Sequence, residues 1–232
     1  FSKLMFDFLD ENQEIQVFYN RYPKIENFKS QIEEKRGSFD SASRITLASA
    51  LSKQYKKIES SELTIQNIES LKSENTFTIT TGHQLNLFTG PLYFLYKIVS
   101  TINLSKELKT KYPECNFVPV YWMATEDHDF DEINHFNFQN KRFQWTQNTS
   151  GAVGRLSTSN LTEFIDVFSK ALGNSSHAFE LKALIQKAYS NHSNLADATR
   201  FLVHALFGSD GLLIIDGNDC ALKRLFIPHV NS

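Results

Sequence analysis

One stretch of the chain, residues 76–123, restricts the possible folds more than any other. It opens with β-branched, aromatic and polar residues at 76–81, which favour a strand that Gly82 ends. A long helix is predicted after Pro91, because proline fits the first turn of a helix, where its missing N–H costs nothing. Residues 117–123 form a second predicted strand, of the buried kind. Such a strand–loop–helix–strand unit is almost always a right-handed parallel crossover, so an α/β fold is predicted.

Outside this unit, helical patterns alternate with a hairpin and one further core strand. Two alternating runs flank Gln139-Asn140-Lys141 and predict the hairpin, and an apolar run at 212–216 predicts the third core strand. In the long helix the apolar stripe Leu92, Leu95, Tyr96, Val99 and Ile102 is expected to face the sheet. The chain is therefore divided into an N-terminal helical segment, the first half of a core, an insertion of hairpin plus helices, and a return to the core: residues 1–75, 76–132, 133–210 and 211–232.

Composition excludes several classes of protein. The 232 residues carry a net charge of −2, which argues against a nucleic-acid partner, because such binders need a basic excess to neutralise phosphates. No apolar run approaches the ~20 residues of a membrane-spanning helix, so no membrane partner is predicted. Cys115 and Cys220 are the two cysteines and form no paired motif, which favours the reducing cytoplasm.

The chain also has features that are typical of a piece of a longer protein. It begins with Phe1 rather than Met, and it stops within a predicted helix. Its three predicted core strands are fewer than the about five or six of a doubly wound sheet, and a bare three-stranded parallel sheet would be poorly covered. The rest of the core is therefore expected beyond Ser232.

The loop after the first strand is a candidate functional site. Gly82, His83 and Gln84 follow the carboxyl end of a strand, where α/β sheets bind ligands. The predicted helix N-terminus near Thr89 and Gly90 favours an anion. The loop contains neither the GxGxxG fingerprint nor a GxxxxGK phosphate loop. The alternative is a glycine-rich turn with a surface lysine, Lys97.

A second polar stretch follows the second strand, again at a carboxyl end. Residues 126–132 contain five acids and one histidine, which is crowded enough to perturb some pKa values. Three interpretations stay open: a polar small-molecule site, a metal site using His128, His135 and an acid, or a solvated acidic turn. Asp216, at the end of the third strand, either contacts substrate or belongs to a turn that caps the next helix. Arg155 could hold a carboxylate, although a solvated loop arginine is the commoner case.

Four segments of the chain together resemble the BshC family, the cysteine-adding ligases of bacillithiol biosynthesis. They are FLDENQEIQVFYNRYP at 8–23, TTGHQLNLFTGPLYFLYK at 80–97, PVYWMATEDHDFDEINH at 119–135 and GLLIIDGNDCALKRLF at 211–226. The resemblance implies a Rossmann-like core interrupted by a connecting-peptide insertion. It also implies a C-terminal helical coiled coil, outside this chain, that supports a homodimer.

The activity that the resemblance implies is addition of cysteine to glucosaminyl-malate. The family's core is similar to that of class I aminoacyl-tRNA-synthetase-type ligases, which activate a carboxylate with a nucleotide. Those enzymes carry a His-x-Gly-His loop, whereas this chain has a single histidine in Thr81-Gly82-His83-Gln84. The co-substrate is therefore left open, with ATP or another nucleotide as the possibility.

The site is predicted to form where side chains from the strand ends converge on one cleft. The expected catalytic residues are His83, Gln84, Asp127 and His128. The expected substrate-binding residues are Gly82, Thr89, Gly90, Tyr93, Lys97, Trp122, Glu126, Asp129 and Asp216. No metal ligand is assigned. The rival functions are a non-catalytic module that binds a nucleotide or sugar acid, and a metal-dependent hydrolase that uses His128 and His135.

Overall fold

The computed structural model of the chain describes residues 2–147 and 149–230. The helices are α1 (Lys3–Leu9), α2 (Phe28–Ser38), α3 (Ser41–Gln54), α4 (Glu62–Ser70), α5 (Leu92–Lys111), α6 (Phe130–Ile133), α7 (Thr162–Ala171), α8 (Ser176–Ser190), α9 (Leu195–Phe207) and α10 (Cys220–Val230). The strands are β1 (Thr76–His83), β2 (Asn116–Met123), β3 (His135–Phe138), β4 (Lys141–Gln144) and β5 (Leu213–Asp216).

The chain forms two compact units, which divide at Ser41. In the first unit, α1 is followed by a 3₁₀ turn at Gln13–Phe18, and Phe8 contacts the rings of Tyr19 and Tyr22 at 5.4 and 5.1 Å. The second unit holds all five strands. The division falls inside the helical segment predicted for residues 1–75, and the segment boundaries at 75, 132 and 210 stay predictions.

The core of the second unit is a parallel sheet in the order β1–β2–β5. β1 and β2 pair along their full lengths, from Thr76 opposite Asn116 to His83 opposite Met123. The α/β fold with a parallel, Rossmann-like core is thus confirmed. All three predicted strands occur, with ends shifted by no more than two residues.

Helix α5 packs on this sheet with a face that matches the predicted stripe only in part. Ile102 is buried as predicted and Leu95 packs against the core, but Leu92, Tyr96 and Val99 are exposed and Phe94 and Ile98 are buried in their place. Residues 92–102 are apolar on more than one side, so periodicity alone does not select the inner face. Tertiary contacts select it: the Phe94 ring lies edge-on to Tyr121 of β2, with ring centroids 5.2 Å apart.

Between β2 and β5 the structure has the predicted hairpin, formed by the antiparallel strands β3 and β4. Gln139 and Asn140 at its turn have φ values of 49° and 59°, the left-handed pair that suits the twist of a two-residue hairpin. Ile133, expected in the first strand, lies instead in the short helix α6. Aromatic rings from the hairpin and from α7 and α8 then form a cluster that contacts Phe88: Phe136, Phe164, Phe168 and Tyr189.

Side chains close the outer edge of β5. The Ile214 N–H donates to the Tyr55 hydroxyl at 2.8 Å, and Arg200 Nη1 donates to the Ile214 carbonyl at 2.5 Å. Gln54 accepts from the Asp216 N–H at 2.9 Å and donates to its carbonyl at 3.0 Å. The buried polar groups of this edge are therefore satisfied without a neighbouring strand.

Within the residues that the structure describes, no helix has both the length and the apolar character needed to cross a bilayer.

Candidate functional site

The loops that follow the three core strands leave the sheet on the same side, at the edge formed by the carboxyl ends of the strands. β1 and β2 end opposite each other, at His83 and Met123, and Met123 in turn lies opposite Asp216 of β5. Because all three strands are parallel, the residues after each strand emerge on the same side. This register places the two polar stretches next to one another.

His83 is the last residue of β1 and is largely shielded from solvent, with 9% of its surface exposed. Its ring lies between Tyr93 and Phe94, with centroid distances of 5.1 and 5.0 Å. Nδ1 lies 2.9 Å from the Gln84 carbonyl, which can only accept, so the proton of the neutral ring is on Nδ1. Nε2 then carries the lone pair, and it has no hydrogen-bond partner among residues 2–147 and 149–230. Burial lowers the pKa of His83, the nearby Lys97 charge lowers it further, and the hydrogen bond to Gln84 opposes both.

Gln84 connects the β1 loop to the acidic β2 loop. Its amide nitrogen donates to Asp127 Oδ2 at 2.9 Å and to Glu132 Oε2 at 2.7 Å. An amide has two N–H bonds, so each carboxylate can take one. The structure therefore brings Gln84 into contact with Asp127, and His83 is the residue that precedes Gln84 in the chain.

The Asp127 carboxylate accepts hydrogen bonds from main-chain groups of its own loop. Oδ1 accepts from the main-chain N–H groups of His128 and Asp129 at 2.7 and 3.1 Å. The hydrogen bond from Gln84 lowers the pKa of Asp127 most, and the two main-chain hydrogen bonds add to the effect, so the carboxylate is ionised at neutral pH. Its own carbonyl accepts from Val153, which fixes the loop against the insertion.

The other acidic-loop residues face solvent. The His128 side chain is 80% exposed, with Nε2 3.6 Å from Asp129 Oδ1, and Glu126 forms an ion pair with Lys223 of α10. Asp127, His128 and Asp129 have ligand-type atoms within 4.8 Å of one another. His135 does not belong to that group in the described part of the chain and contacts Asn134 instead. The two-histidine metal set considered from the sequence is therefore not assembled.

Thr89 and Gly90 shape the β1 loop through an unusual backbone. Phe88, Thr89 and Gly90 have φ values of 53°, 80° and 65°. A Cβ on Gly90 would lie 2.4 Å from the Asn86 Cβ, so only glycine fits there. The Phe88 N–H donates to the Tyr189 hydroxyl at 3.0 Å. Pro91 is the N-cap, and α5 begins directly after it, at Leu92.

Four further predicted residues, Gly82, Tyr93, Lys97 and Trp122, lie at or beside the ends of β1 and β2. Lys97 on α5 donates through Nζ to the Gly82 carbonyl, which holds its charge near the end of β1. Tyr93 and Trp122 are 56% and 45% exposed. The Trp122 ring covers Gly217, where an added Cβ would lie 2.2 Å from the indole.

Asp216 lies at the tip of β5 and is tied to the β2 loop. Its Oδ1 accepts from the Thr125 hydroxyl at 2.5 Å and from the Asn218 N–H at 2.9 Å. The capping role in the following turn belongs to Asp219, which accepts from the Ala221 and Leu222 N–H groups.

Sequence reasoning missed several residues that position the site. Gln54 and Arg200 hold the β5 tip, Tyr189 holds the β1 loop, and Thr125 links β2 to β5. Each acts on a partner far away in the chain, and no local pattern marks it. Arg200 offers one signal: an arginine inside an otherwise apolar helical run needs an acceptor.

The chain is similar to known proteins over its whole length. The family model described as "Bacillithiol biosynthesis BshC, N-terminal Rossmann-like domain" matches residues 1–232. A protein of Flavobacterium johnsoniae named "Putative cysteine ligase BshC" is 61% identical over 232 residues, which are all of this chain and 44% of the relative. Relatives of the same name from Christiangramia forsetii and Bacillus mycoides are 53% and 29% identical, over 100% and 97% of this chain and 44% and 43% of their own lengths.

The chain thus spans less than half the length of these curated relatives. Its matched region is the one that the family model assigns to the N-terminal Rossmann-like domain. The chain belongs to the BshC family of bacillithiol biosynthesis.

Proposed function

We propose that this chain contributes His83, Gln84 and Asp127 to the catalytic site of a ligase that joins cysteine to glucosaminyl-malate. The bond formed is an amide between the cysteine carboxyl carbon and the glucosamine nitrogen. The observation that carries the proposal is the contact of Gln84 with Asp127 and Glu132 beside a buried, neutral His83. That arrangement offers a base and two carboxylates at one strand edge.

His83 is the proposed base. The sugar amine is protonated at neutral pH and must lose a proton before it can attack a carbonyl carbon. Nε2 of His83 carries a lone pair with no partner in the described residues, and the lowered pKa keeps the ring neutral. Nε2 is shielded from solvent, so the side chains around it must shift to admit the amine; His83 then takes the proton, and the carbon–nitrogen bond forms after that transfer.

Asp127 and Glu132 are the proposed binding sites for the incoming ammonium group. Gln84 donates to both carboxylates and leaves other oxygen lone pairs available. A carboxylate pair attracts a cationic amine and holds it near the base, which converts a collision into an oriented reaction. His128, exposed at the rim, is positioned to exchange the released proton with solvent.

The carbonyl carbon needs an activated leaving group, because joining a free carboxylate to an amine expels water and is unfavourable in water. The family resemblance makes ATP the first nucleotide to test. Lys97 and the N-terminus of α5 supply positive potential beside the β1 loop, where an anionic leaving group would be stabilised.

The direct experiment uses the longer protein that contains this chain. Purified protein is incubated with cysteine and glucosaminyl-malate, with and without ATP, and mass spectrometry follows amide formation. Asp127→Asn should lower the rate at least tenfold, whereas Asp166→Asn, an exposed aspartate on α7, should leave it unchanged. Absence of the amide product under every condition, with bound substrate still detectable, would favour a binding module instead.

The proposal extends to the setting of the reaction. Cys115 and Cys220 are both free thiols, which is compatible with the cytoplasm, and the family resemblance predicts a homodimer through a coiled coil outside this chain. Light scattering of the longer protein tests the dimer.

A further inference from the structure

A cavity of about 410 Å³ lies at the same edge of the sheet, between the tips of β2 and β5 and the start of α9. Thr125, Arg155, Asn194, Asp216 and Asn218 line it. Its volume lies within the range of small-molecule pockets and exceeds what a small amino acid needs. Among these side chains Asp216 was expected to contact substrate, and Arg155 was considered either as a residue that could hold a carboxylate or, more commonly, as a solvated loop residue.

Arg155 and Asp216 carry opposite charges in this cavity but form no ion pair with each other in the described part of the chain. The Arg155 guanidinium has no hydrogen-bond or ion-pair partner among residues 2–147 and 149–230. Asp216 uses Oδ1 for Thr125 and Asn218, whereas Oδ2 has no partner within the same described ranges. Asp197, the other carboxylate of the lining, accepts from Lys57 at 3.3 Å and from Asn194 at 3.1 Å, both through Oδ2. Within the described ranges Asp216 is therefore the lining carboxylate that has no ion-pair partner of its own.

Both charges are carried on well-supported backbone. The turn that presents Arg155 is fixed by hydrogen bonds from Val153 to Asp127 and from Gly154 to Thr125, at 2.7 and 2.9 Å. A Cβ on Gly154 would lie 2.7 Å from the Thr125 Cβ, so this turn can pack against the β2 loop only with glycine there. Gln54 holds Asp216 at both its N–H and its carbonyl, as described above.

We propose that this cavity is the subsite for the α-amino acid substrate, in which Arg155 pairs with the α-carboxylate and Asp216 Oδ2 pairs with the α-ammonium. The assignment rests on the proposed ligase function, for which the amino acid is cysteine. A zwitterion matches a cation and an anion that form no ion pair with each other, whereas a phosphate or sugar acid would bring a second anion close to the Asp216 carboxylate. The turn that carries Arg155 also contacts Asp127, so the subsite adjoins the proposed amine site.

The test measures binding of three thiols to the longer protein by calorimetry under reducing conditions, with and without glucosaminyl-malate. Cysteine has both charged groups, cysteamine lacks the carboxylate, and 3-mercaptopropionate lacks the ammonium. The wild type should bind cysteine at least tenfold more tightly than either analogue. Arg155→Gln should weaken cysteine at least tenfold and leave cysteamine unchanged, and Asp216→Asn should remove the preference for cysteine over 3-mercaptopropionate.

Arg142→Gln, an exposed arginine on β4, is the matched control and should bind like the wild type. If Asp216→Asn misfolds, the test uses only Arg155→Gln and Arg155→Lys. Arg155 lies on an exposed loop, so these substitutions are not expected to disturb folding. Wild-type affinity for cysteine in Arg155→Gln, or equal affinity for all three thiols in the wild type, would overturn the subsite. Selective cysteine binding without amide formation would retain the subsite and overturn the proposed ligase function.

Discussion

The tips of β1 and β2 meet at one edge of the sheet, yet they carry histidines in opposite surroundings. His83 at the end of β1 is nearly enclosed by aromatic rings, and its Nδ1 proton is fixed by a carbonyl. His128 after β2 projects into solvent beside Asp129. The residue type is the same, so the difference in chemistry comes from packing: enclosure keeps the His83 ring neutral with a defined lone pair, whereas the His128 ring is in contact with solvent.

Gln84 is the element that couples these two environments. It lies next to His83 in the chain and donates to Asp127 and Glu132 of the opposite loop. The proposed base and the carboxylates can therefore lie close together although His83 is buried and the carboxylates are in contact with solvent. The following changes are designed to separate the contributions of the two tips.

Replacement of His83 by Ala should produce the largest loss of activity. It removes the proposed base, and positioned general bases typically contribute about 10²–10⁴-fold to rates. The measurement is kcat/KM for amide formation by the longer protein, with circular dichroism to verify folding. Near-wild-type activity in a folded His83→Ala protein would remove the β1 tip from the mechanism.

Replacement of Gln84 by Glu should have the next largest effect. The substitution keeps the shape but exchanges the donor for a third carboxylate beside Asp127 and Glu132, and like charges at hydrogen-bond distance repel. We expect kcat/KM to fall about 10–100-fold, in line with the loss of one or two hydrogen bonds to charged groups. Gln186→Glu, an exposed glutamine on α8, is the matched control. Equal rates in the two variants would mean that the bridge has no functional role.

Acid should destabilise the protein in a way that depends on the buried histidine. Burial lowers the pKa of His83 below its ordinary value of 6.5, so the unfolded chain binds the proton more readily than the folded one. The free energy of unfolding therefore falls as the pH drops from about 6.5 through the lowered pKa. Asp127, whose pKa is lowered from 3.8, adds a separate loss only in stronger acid.

Thermal unfolding between pH 7.5 and 5.5 checks this expectation. His83→Gln should lose less Tm over that interval than the wild type, because it has no imidazole to protonate there. His204, whose pKa burial also lowers, remains in both proteins and accounts for part of the loss that they share. Identical Tm changes in the two proteins would show that His83 is not held neutral by the fold.

Replacement of His128 by Ala should have the smallest effect. An exposed proton carrier can be replaced by water or buffer, so kcat/KM should stay within about tenfold of the wild type, and stability within about 0.5 kcal/mol. Titration with imidazole buffer is the check, since added imidazole should restore any lost rate. A loss as large as that of His83→Ala would reverse the roles of the two tips.

The sequence was sufficient for the sheet and for part of the site. Strand-forming runs at 76–81 and 212–216 are local signals, and the rule that parallel strands end at one edge was enough to bring Gln84 and Asp127 together. The inner face of α5 was predicted only in part, since Ile102 is buried as expected but the helix is apolar on several sides and the choice of inner face depends on the contact of Phe94 with Tyr121. The tautomer of His83 depends on a carbonyl whose position is set only by the folded loop.

The two outer edges of the sheet have unequal capacity to accept another strand. At β5, Tyr55, Gln54 and Arg200 already occupy the peptide groups of Ile214 and Asp216. At β1, within the described ranges, Arg44 and Lys97 occupy the Thr76 and Gly82 carbonyls, and the peptide groups of Thr78 and Thr80 between them point away from β2 and have no partner. A further strand can therefore pair with the middle of β1 more easily than with β5. At β5 it would have to displace three side chains and leave the Arg200 cation without its carbonyl acceptor.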